Sequence, residues 1–267
     1  MWRVYDWLLG GTSNWAVDRA FGARVVDAFP LLKSAARANR LFLHRAVRHP
    51  VGLGVRQFID IGSGIPTMGN THEIAEQVAP DSRVVYVDNE PVAVAHSQVL
   101  LERHGDVERH AVVRGDMREP HELWHRIQET RVIDFSEPVA LLLVALLHIR
   151  QPGRNGTDIG PRAVEEYRQL LPSGSHLVIS RITDEGVPPD LDEKLVELKR
   201  MYDTSSGPMI WRSHQQIRDL LGDFTLMEPG MTRTPLWHPE DSGPAAPKIA
   251  FDTPEQSTVW AGVGRKP

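Results

Sequence analysis

The stretch Gln57-Phe-Ile-Asp-Ile-Gly-Ser-Gly-Ile-Pro-Thr67 decides the fold of this chain. Its first half is a short apolar run, typical of a buried strand, that passes into a turn containing Gly62 and Gly64. Glycine adopts positive φ and has no Cβ, so a ligand carboxylate or phosphate can lie against the backbone N–H groups of such a turn. A strand, a glycine turn and a following helix are the parts from which α/β proteins build nucleotide pockets. The stretch therefore predicts a pocket of this kind.

Strand and helix patterns alternate from residue 56 onward, which favours a doubly wound α/β fold. The continuous apolar run Val139–Val144 is typical of the buried centre of a parallel sheet. Two final strands without a long helix between them predict an antiparallel C-terminal hairpin, with the proline-rich segment 235–254 as its surface connection. We predict a mostly parallel, seven-stranded Rossmann-like sheet with strands at residues 58–61, 83–87, 110–113, 139–144, 176–180, 224–228 and 258–263.

Composition and charge exclude several classes of protein. The chain has 267 residues, a net charge of −5 and no cysteine. The negative charge gives no electrostatic reason to expect a nucleic-acid partner, and the lack of cysteine excludes disulfides, thiolate metal sites and a cysteine nucleophile. No apolar run reaches the roughly 18 residues of a membrane span, and residues 1–7 lack the pattern of a secretory signal. We expect a cytoplasmic protein.

Three aspartates, Asp60, Asp88 and Asp116, stand at the ends of the first three predicted strands. In an open α/β sheet the carboxyl ends of the strands form the edge where ligands bind. One such acid is commonly a helix cap or turn former, but three at successive strand ends favour a ligand site. The spacing from Gly62 to Asp88 is close to that at which an acid accepts both ribose hydroxyls, and the Asp116 carboxylate with the Met117 N–H would suit adenine.

The glycine turn does not match a dinucleotide fingerprint. That fingerprint, G-x-G-x-x-G, requires a third glycine where this chain has Thr67, preceded by Pro66. Asp60 stands just before the first glycine, where a carboxylate repels a pyrophosphate but attracts an ammonium group. No G-x-x-x-x-G-K-[ST] motif occurs, so a P-loop hydrolase is not expected. A ligand with adenosine, a sulfonium cation and an amino-acid tail, S-adenosylmethionine, fits better.

On these residues the chain resembles the class I S-adenosylmethionine-dependent methyltransferases. More narrowly, it is similar to an actinobacterial methyltransferase family long catalogued as a domain of unknown function. The resemblance covers nearly the whole chain. It rests on Arg3-Val-Tyr-Asp-Trp-Leu-Leu-Gly-Gly11 with Asn14, Ala36-Arg-Ala-Asn-Arg40, Phe58-Ile-Asp-Ile-Gly-Ser-Gly-Ile-Pro-Thr67, Val84-Val-Tyr-Val-Asp-Asn-Glu-Pro91, Leu142-Leu-Val-Ala-Leu-Leu-His148 and Glu228-Pro-Gly230.

The resemblance implies both a domain organisation and a donor site. Residues 1–50 would form a helical cap or lid, and residues 51–267 a Rossmann-like methyltransferase domain with an acceptor-side insertion at 185–215. In the donor site the glycine turn would hold the methionine end, Asp88 the ribose, and Asp116 with Met117 the adenine. The predicted donor-binding residues are Asp60, Gly62, Ser63, Gly64, Asp88, Asn89, Asp116 and Met117.

His148 is the one candidate for a catalytic residue. Methyl transfer needs no dedicated catalytic side chain, because orientation alone can supply on the order of 7–11 kcal/mol. A base helps only when the acceptor must lose a proton. His148 follows the fourth strand and could serve as that base; the alternative is that it stabilises a loop at the strand end.

Further candidates lie in the predicted cap and insertion. Their polar side chains could close over the methionine end or bind an anionic acceptor group, whereas surface ion pairs, loop hydrogen bonds and core packing are the simpler interpretations. Histidines show no convincing ligand spacing, so no metal is expected. The cap or substrate candidates are Tyr5, Asn14, Arg37, Asn39, Arg40, Trp211 and Arg212.

We therefore expect a methyltransferase that uses S-adenosylmethionine, yields S-adenosylhomocysteine and acts on a small-molecule acceptor. Two alternatives stay open: an NAD(P)-dependent oxidoreductase on the same fold, and a non-catalytic protein that binds S-adenosylmethionine. Neither the acceptor nor the methylated atom follows from the sequence, and a homodimer stays open.

Overall fold

The computed structural model describes residues 2–65, 69–205, 207–243, 246–247, 249 and 251–267. Pro66 and Thr67, which end the opening stretch, lie outside the described residues, as do parts of the predicted connection 235–254. The helices are α1 (Trp2–Leu9), α2 (Ala16–Ala28), α3 (Leu32–Gly52), α4 (Thr71–Glu76), α5 (Pro91–His104), α6 (Pro120–Glu129), α7 (Gly160–Leu170), α8 (Pro189–Asp203) and α9 (His214–Asp219). The strands are β1 (Gln57–Ile61), β2 (Arg83–Asp88), β3 (His110–Arg114), β4 (Val139–Val144), β5 (His176–Ile182), β6 (Thr225–Leu226), β7 (Thr232–Arg233) and β8 (Val259–Arg265).

The strands form one mixed sheet with the order β3-β2-β1-β4-β5-β8-β6, and β7 also pairs with β8. Strands β1 to β5 are parallel, whereas β8 runs antiparallel to β5 along all of its residues, from His176↔Arg265 to Ile182↔Val259. The doubly wound, mostly parallel sheet and its antiparallel C-terminal strands are confirmed.

The number of strands differs from the prediction: the described residues form a sheet of eight strands, not seven. The predicted strand 224–228 is observed as the shorter β6, and β7, which was not predicted, follows it; β6 and β7 pair with different parts of β8. Pro229 lies between them and has no N–H to donate to a ladder, so the edge is interrupted there.

Both faces of the central strands are buried, as their continuous apolar runs predict. Alternate residues point to opposite faces: Ile59 and Val85 belong to a cluster with α6 and α7, and Phe58 and Val84 to a cluster with α3 and α4. This three-layer packing fixes the strands, so the loops at their carboxyl ends start from rigid positions.

The N-terminal helices pack on the remainder of the molecule through a third cluster. Apolar residues of α1 and α2, among them Leu8 and Val25, belong to one cluster with Leu195 and Leu198 of α8. Helix α3 belongs to two clusters: Leu32 and Ala36 join the third, whereas its C-terminal half packs on the sheet through residues 42–51. The division at residue 50 thus cuts a helix that serves both layers, and the two-domain organisation stays a prediction.

Two further details concern the helices. Ser213 is the N-cap of α9, a position that serine favours: its Oγ accepts a hydrogen bond from the backbone N–H of Gln216 at 3.2 Å. Within the described part of the chain, no helix combines the length and the apolar character that crossing a membrane requires.

Candidate functional site

A cleft of about 470 Å³ lies at the carboxyl edge of the sheet. One wall consists of residues at and after the ends of β1, β2, β3 and β4, and the other of α1 and α3. It is the place at which an open α/β sheet binds ligands. Of the predicted donor-binding residues, those that line the cleft are Asp60, Gly62, Ser63, Gly64, Asp88, Asn89 and Met117.

The glycine turn after β1 is closed by hydrogen bonds within the protein. Gly62 and Ser63 donate their N–H groups to the Val87 carbonyl at 2.8 and 3.2 Å, and Gly64 donates to Asp88 Oδ2 at 2.9 Å. The expectation that the N–H groups of both glycines face a ligand is therefore wrong, because these groups tie the turn to the end of β2. What the turn offers a ligand is bare backbone without a Cβ.

Both glycines are required by the conformation of the turn. Gly62 and Gly64 have φ angles of +73° and +61°, the left-handed region that side chains disfavour. A Cβ on Gly62 would lie 2.7 Å from Leu146 Cδ1, and one on Gly64 would lie 3.2 Å from Trp2 Cβ. Helix α1 and the loop after β4 thus approach the turn from two sides.

Asp88 is buried and holds this arrangement together. Its Oδ2 accepts from Gly64 N and its Oδ1 from Glu90 N, each at 2.9 Å. A carboxylate has about four lone-pair sites, so capacity is left for further donors such as two hydroxyls. Burial raises the pKa of Asp88, and the N–H groups of Glu90 and Gly64 oppose that rise. Additional donors from a ligand would stabilise the ionised form further.

Asp60 is the second buried carboxylate of the same wall. Its Oδ2 accepts a 2.7 Å hydrogen bond from Thr71 Oγ1 at the start of α4. Burial raises the pKa of Asp60, the hydrogen bond from Thr71 and the charge of Arg40 lower it, and the charge of Asp88 raises it again. Two carboxylates that share one low-dielectric wall are stabilised by a cationic ligand group.

The third predicted acid is placed differently. Asp116 follows β3, but its carboxylate is taken by Arg118, whose Nε lies 2.9 and 3.0 Å from the two oxygens. Burial raises the pKa of Asp116, but hydrogen bonds and charge from Arg118 outweigh it and hold the pKa below its usual value. Gly115, Met117 and Arg118 line the cleft, whereas Asp116 does not. The sequence did not single out Arg118, although a cation two residues after an acid is a signal for such a pair.

The predicted cap residues separate into two groups. Tyr5 and Arg40 line the cleft, and Asn39 Nδ2 donates to Tyr5 Oη at 3.0 Å. By contrast, Asn14 stabilises the loop after α1 through Asp6 Oδ2 at 2.7 Å, and Arg37 is exposed on α3 outside the cleft.

The two candidates from the insertion do not reach the cleft. Trp211 packs against the third cluster, which is the core role that its residue type favours. Arg212 forms an ion pair with Asp158, and both side chains are largely buried. The acceptor-pocket role expected for these two residues has no support in their positions.

His148 lines both the cleft and a smaller cavity behind it. Its Nδ1 is buried and has no hydrogen-bond partner within the described part of the protein. Burial, together with the charge of Arg181, lowers the pKa of His148 to about 3, so the ring is neutral near pH 7. So weak a base removes protons poorly at that pH, which favours a hydrogen-bonding role over a general base. Ala145, nearby, has a strained φ of +54°, a feature that clusters at functional sites.

The smaller cavity has a volume of about 60 Å³. Its lining is mostly apolar and comes from α1, α3, α8, β5 and β8. Arg181, in β5, is the charged residue of this lining and escaped the sequence analysis. The sequence did carry a signal for it: Arg181 is a lone arginine within a strand that is otherwise expected to be buried. A buried arginine needs partners, so such a residue is a candidate for a functional role.

One group far from the glycine turn has the composition of a metal site: His49, His238 and Asp241. Each of the three is already hydrogen-bonded in the structure. His49 Nδ1 lies 3.1 Å from Asp241 Oδ2, and the two nitrogens of His238 lie 2.6 Å from Glu240 Oε1 and 2.8 Å from the Glu228 carbonyl. These contacts fasten the connection between β7 and β8 to the end of α3.

Comparison with known proteins agrees with this geometry. The model of the S-adenosyl methyltransferase family matches residues 1–267. The chain belongs to that family. No match was found among curated proteins.

Two solved structures of actinobacterial proteins are similar to this member of the family over its full length. A putative methyltransferase from Thermobifida fusca is 37% identical with a TM-score of 0.85, covering 100% of this chain and 94% of that one. A DUF574 family protein from Streptomyces avermitilis is 35% identical with a TM-score of 0.87, covering 100% and 97%. Magnesium protoporphyrin IX methyltransferase from Synechocystis, solved with bound S-adenosylhomocysteine, shares the fold alone: it is 12% identical with a TM-score of 0.53, covering 99% and 93%.

Proposed function

We propose that this family member binds S-adenosylmethionine in the cleft and transfers its methyl group to a small-molecule acceptor. The observation that carries the proposal is the joining of the glycine turn to Asp88 beneath α1, with Asp60 on the same wall. This places two buried carboxylates beside a turn whose two glycines have no side chain, at the edge where the fold binds ligands.

The residues of the cleft fit the parts of this donor. Asp60 would hold the ammonium group of the methionine end, since a cation offsets the unfavourable ionisation of a buried carboxylate. Asp88 would accept the ribose hydroxyls with the lone pairs that Gly64 and Glu90 leave. The backbone of Gly115 and Met117 would lie against adenine. The donor supplies an activated methyl group on a sulfonium leaving group.

The protein's own contribution is position and exclusion of water. Helices α1 and α3 cover the cleft, with Tyr5, Leu9 and Leu43 in the covering wall. A closed, partly apolar site orients the acceptor and removes competing water, which can account for much of the acceleration of a one-step displacement. The small size of the adjoining cavity supports a small-molecule acceptor.

Of the two alternatives, a dinucleotide-dependent oxidoreductase is disfavoured. The family to which the chain belongs is one of S-adenosyl methyltransferases, and a pyrophosphate beside Asp60 and Asp88 would meet two carboxylates. A non-catalytic binding protein has the same cleft and differs only in the absence of turnover.

Calorimetric titration of the purified protein with S-adenosylhomocysteine and, separately, with NADH tests the proposal. We expect S-adenosylhomocysteine to bind and NADH not to bind. Binding of NADH alone would refute the proposal. A second measurement supplies radiolabelled methyl donor together with an extract of actinobacterial metabolites. Labelled small molecules and S-adenosylhomocysteine are the expected products, and binding without any such conversion in repeated extracts would favour the non-catalytic alternative.

A further inference from the structure

The smaller cavity continues the cleft beyond His148. Four residues line both spaces: Tyr5, Ala145, His148 and Tyr202. A cavity needs roughly 10–15 Å³ of such volume to hold one water, so about 60 Å³ admits a compact group larger than a water molecule.

Arg181 gives this cavity a buried positive charge. Its guanidinium donates to the carbonyls of Leu147 and Ile210, and the residue is 1% exposed. Within the described residues, no carboxylate lies within ion-pair distance of it; Asp158, whose charge acts on Arg181 from farther away, is paired with Arg212. Burial lowers the pKa of Arg181 to about 9, which leaves the group protonated at neutral pH. A buried cation without an anion is unfavourable unless a ligand supplies one.

Three polar atoms in the lining of this cavity are buried without a hydrogen-bond partner in the described part of the chain. They are Arg181 Nε, Asn39 Oδ1 and His148 Nδ1. Buried polar groups in native proteins are normally paired with protein, water or ligand. Arg181 is almost wholly excluded from solvent, and its Nε is a donor, so a molecule inside the cavity can supply the acceptor that it lacks. Asn39 Oδ1 is itself an acceptor and would take a donor such as water.

We infer that the acceptor binds in this cavity as a small apolar molecule whose nucleophilic oxygen is anionic: a carboxylate, or the oxygen of an acidic phenol or enol. The inference rests on the proposed function and deepens it by naming the acceptor class. The apolar body lies among Leu8, Leu198 and Met209, and the oxygen lies between His148 and Arg181. Arg181 is the binding residue for the anion, and it favours the deprotonated acceptor by direct charge attraction.

With this acceptor class the reaction needs no general base, in keeping with the lowered pKa of His148. A lone pair of the anionic oxygen forms the new C–O bond to the methyl carbon, the C–S bond breaks, and its electron pair returns to sulfur. The sulfonium becomes a neutral thioether and the oxyanion becomes a neutral ester or ether. No proton is released in the step, so a neutral His148 suffices as a hydrogen-bonding group.

The test is calorimetric titration of the intact protein, saturated with S-adenosylhomocysteine, with matched acid and neutral probes. The pairs are benzoate and benzamide, phenylacetate and phenylacetamide, hexanoate and hexanamide, and 4-nitrophenolate and 4-nitroaniline. We expect at least one acid to bind about tenfold or more tightly than its neutral partner, the preference of a charge-assisted contact. If no acid binds more tightly than its partner while S-adenosylhomocysteine binds, the inference is overturned and the proposed function stands. Failure of S-adenosylhomocysteine itself to bind overturns both.

Two variants locate the site. Arg181→Met should abolish the preference for the acid, whereas Arg103→Met, which removes an exposed arginine of α5, should keep it. Because Arg181→Met could also fail to fold, Ala35→Leu provides a second route: Ala35 is buried in the cavity wall, and a larger side chain should fill the space. Loss of acid binding with unchanged affinity for S-adenosylhomocysteine is expected, and unchanged acid binding would refute the location.

The product separates the two sources of the anionic oxygen. With S-adenosylmethionine and a bound acid, a carboxylate yields a methyl ester that mild alkali hydrolyses, whereas a phenol or enol yields an ether that survives mild alkali. Methylation of the amide or amine probe in preference to the acid would overturn the inference.

Discussion

The backbone N–H of Gly64 donates to Asp88 Oδ2 at 2.9 Å, which joins the turn after β1 to the end of β2. The same carboxylate accepts from Glu90 N through its other oxygen. One buried side chain therefore sets the relative position of two loops of the cleft, and its replacement tests both structure and binding.

Asp88→Asn replaces one of the two accepting oxygens with an NH2 group. That group would face the backbone N–H of either Gly64 or Glu90, and two donors cannot form a hydrogen bond with each other. One of the two loops therefore loses its attachment to residue 88. We expect the affinity for S-adenosylhomocysteine to fall about 10- to 100-fold, equivalent to roughly 1.4–2.8 kcal/mol, as measured by calorimetry. Asp134→Asn is the control: this exposed aspartate also accepts from a backbone N–H, that of Ser136. Equal effects of the two substitutions would contradict the proposed role.

Asp60→Asn should stabilise the ligand-free protein while weakening donor binding. Because burial raises the pKa of Asp60, the folded state binds the proton more tightly than the unfolded state does. Stability is therefore lost as the pH rises from 3.8 through the raised pKa. Asparagine does not ionise, so the variant has no such loss. The difference in the free energy of unfolding between Asp60→Asn and the wild type should therefore grow as the pH rises through this window, and stay constant above it. Each unit of pKa difference corresponds to about 1.4 kcal/mol.

Urea unfolding across this pH range measures the effect of Asp60→Asn. Asp106→Asn is a control of opposite sign, since the N–H of Glu108 and the side chain of Arg109 lower the pKa of Asp106. Asp106→Asn should be less stable than the wild type at neutral pH, and this difference in the free energy of unfolding should shrink as the pH falls. A stability difference for Asp60→Asn that shrinks as the pH rises would show that burial does not govern this carboxylate.

Gly64→Ala should weaken the binding of S-adenosylhomocysteine as well as lower the stability of the fold. A residue with φ of +61° costs roughly 1–2 kcal/mol when it carries a Cβ, and the new Cβ would press on Trp2 of α1. We expect about tenfold weaker binding of S-adenosylhomocysteine, the effect of a 1.4 kcal/mol contact. Gly54→Ala is the control: Gly54 also has a positive φ, but a Cβ there would have no neighbour within 4 Å among the described residues. It should lower Tm without changing affinity, and a similar affinity loss in both variants would contradict the contact.

The ring of His148 should stay neutral from pH 8 down to about 5, because burial and Arg181 lower its pKa to about 3. Two-dimensional NMR of ring protons, assigned with the variant His148→Gln, follows this directly. An inflection for His148 between pH 6 and 7 would restore it as a candidate general base.

The sequence predicts the parts of this site that depend on neighbouring residues and misses those that depend on distant ones. The strand at residues 58–61 and the glycine turn follow from local pattern, and so do the acids at the strand ends. The use of the Gly64 N–H by Asp88 could not be foreseen, since it joins residues that are far apart in the chain. Arg181 was missed for the same reason: its partners, Leu147 and Ile210, come from other loops.

The split edge of the sheet shows a third kind of limit. The apolar pattern at 224–228 correctly indicates a strand, but pairing also requires donors at each step of the ladder. Pro229 lacks one, and the strand resumes only at Thr232. Hydrophobic periodicity describes which side chains are buried and carries no information about this backbone requirement.

Helix α3 has a consequence for how acceptor preference can diverge among related proteins. Its 21 residues, about 30 Å at 1.5 Å per residue, carry Asn39 in the small cavity and Arg40 in the cleft. Arg45 then donates to the carbonyls of Thr234 and Trp237. A change that tilts this helix would disturb the proposed acceptor cavity, the proposed donor cleft and the C-terminal connection together. Among the described residues, no hydrogen bond or ion pair ties α1 or α8 to that connection, so we expect relatives with different acceptors to vary mainly there, while α3 evolves slowly.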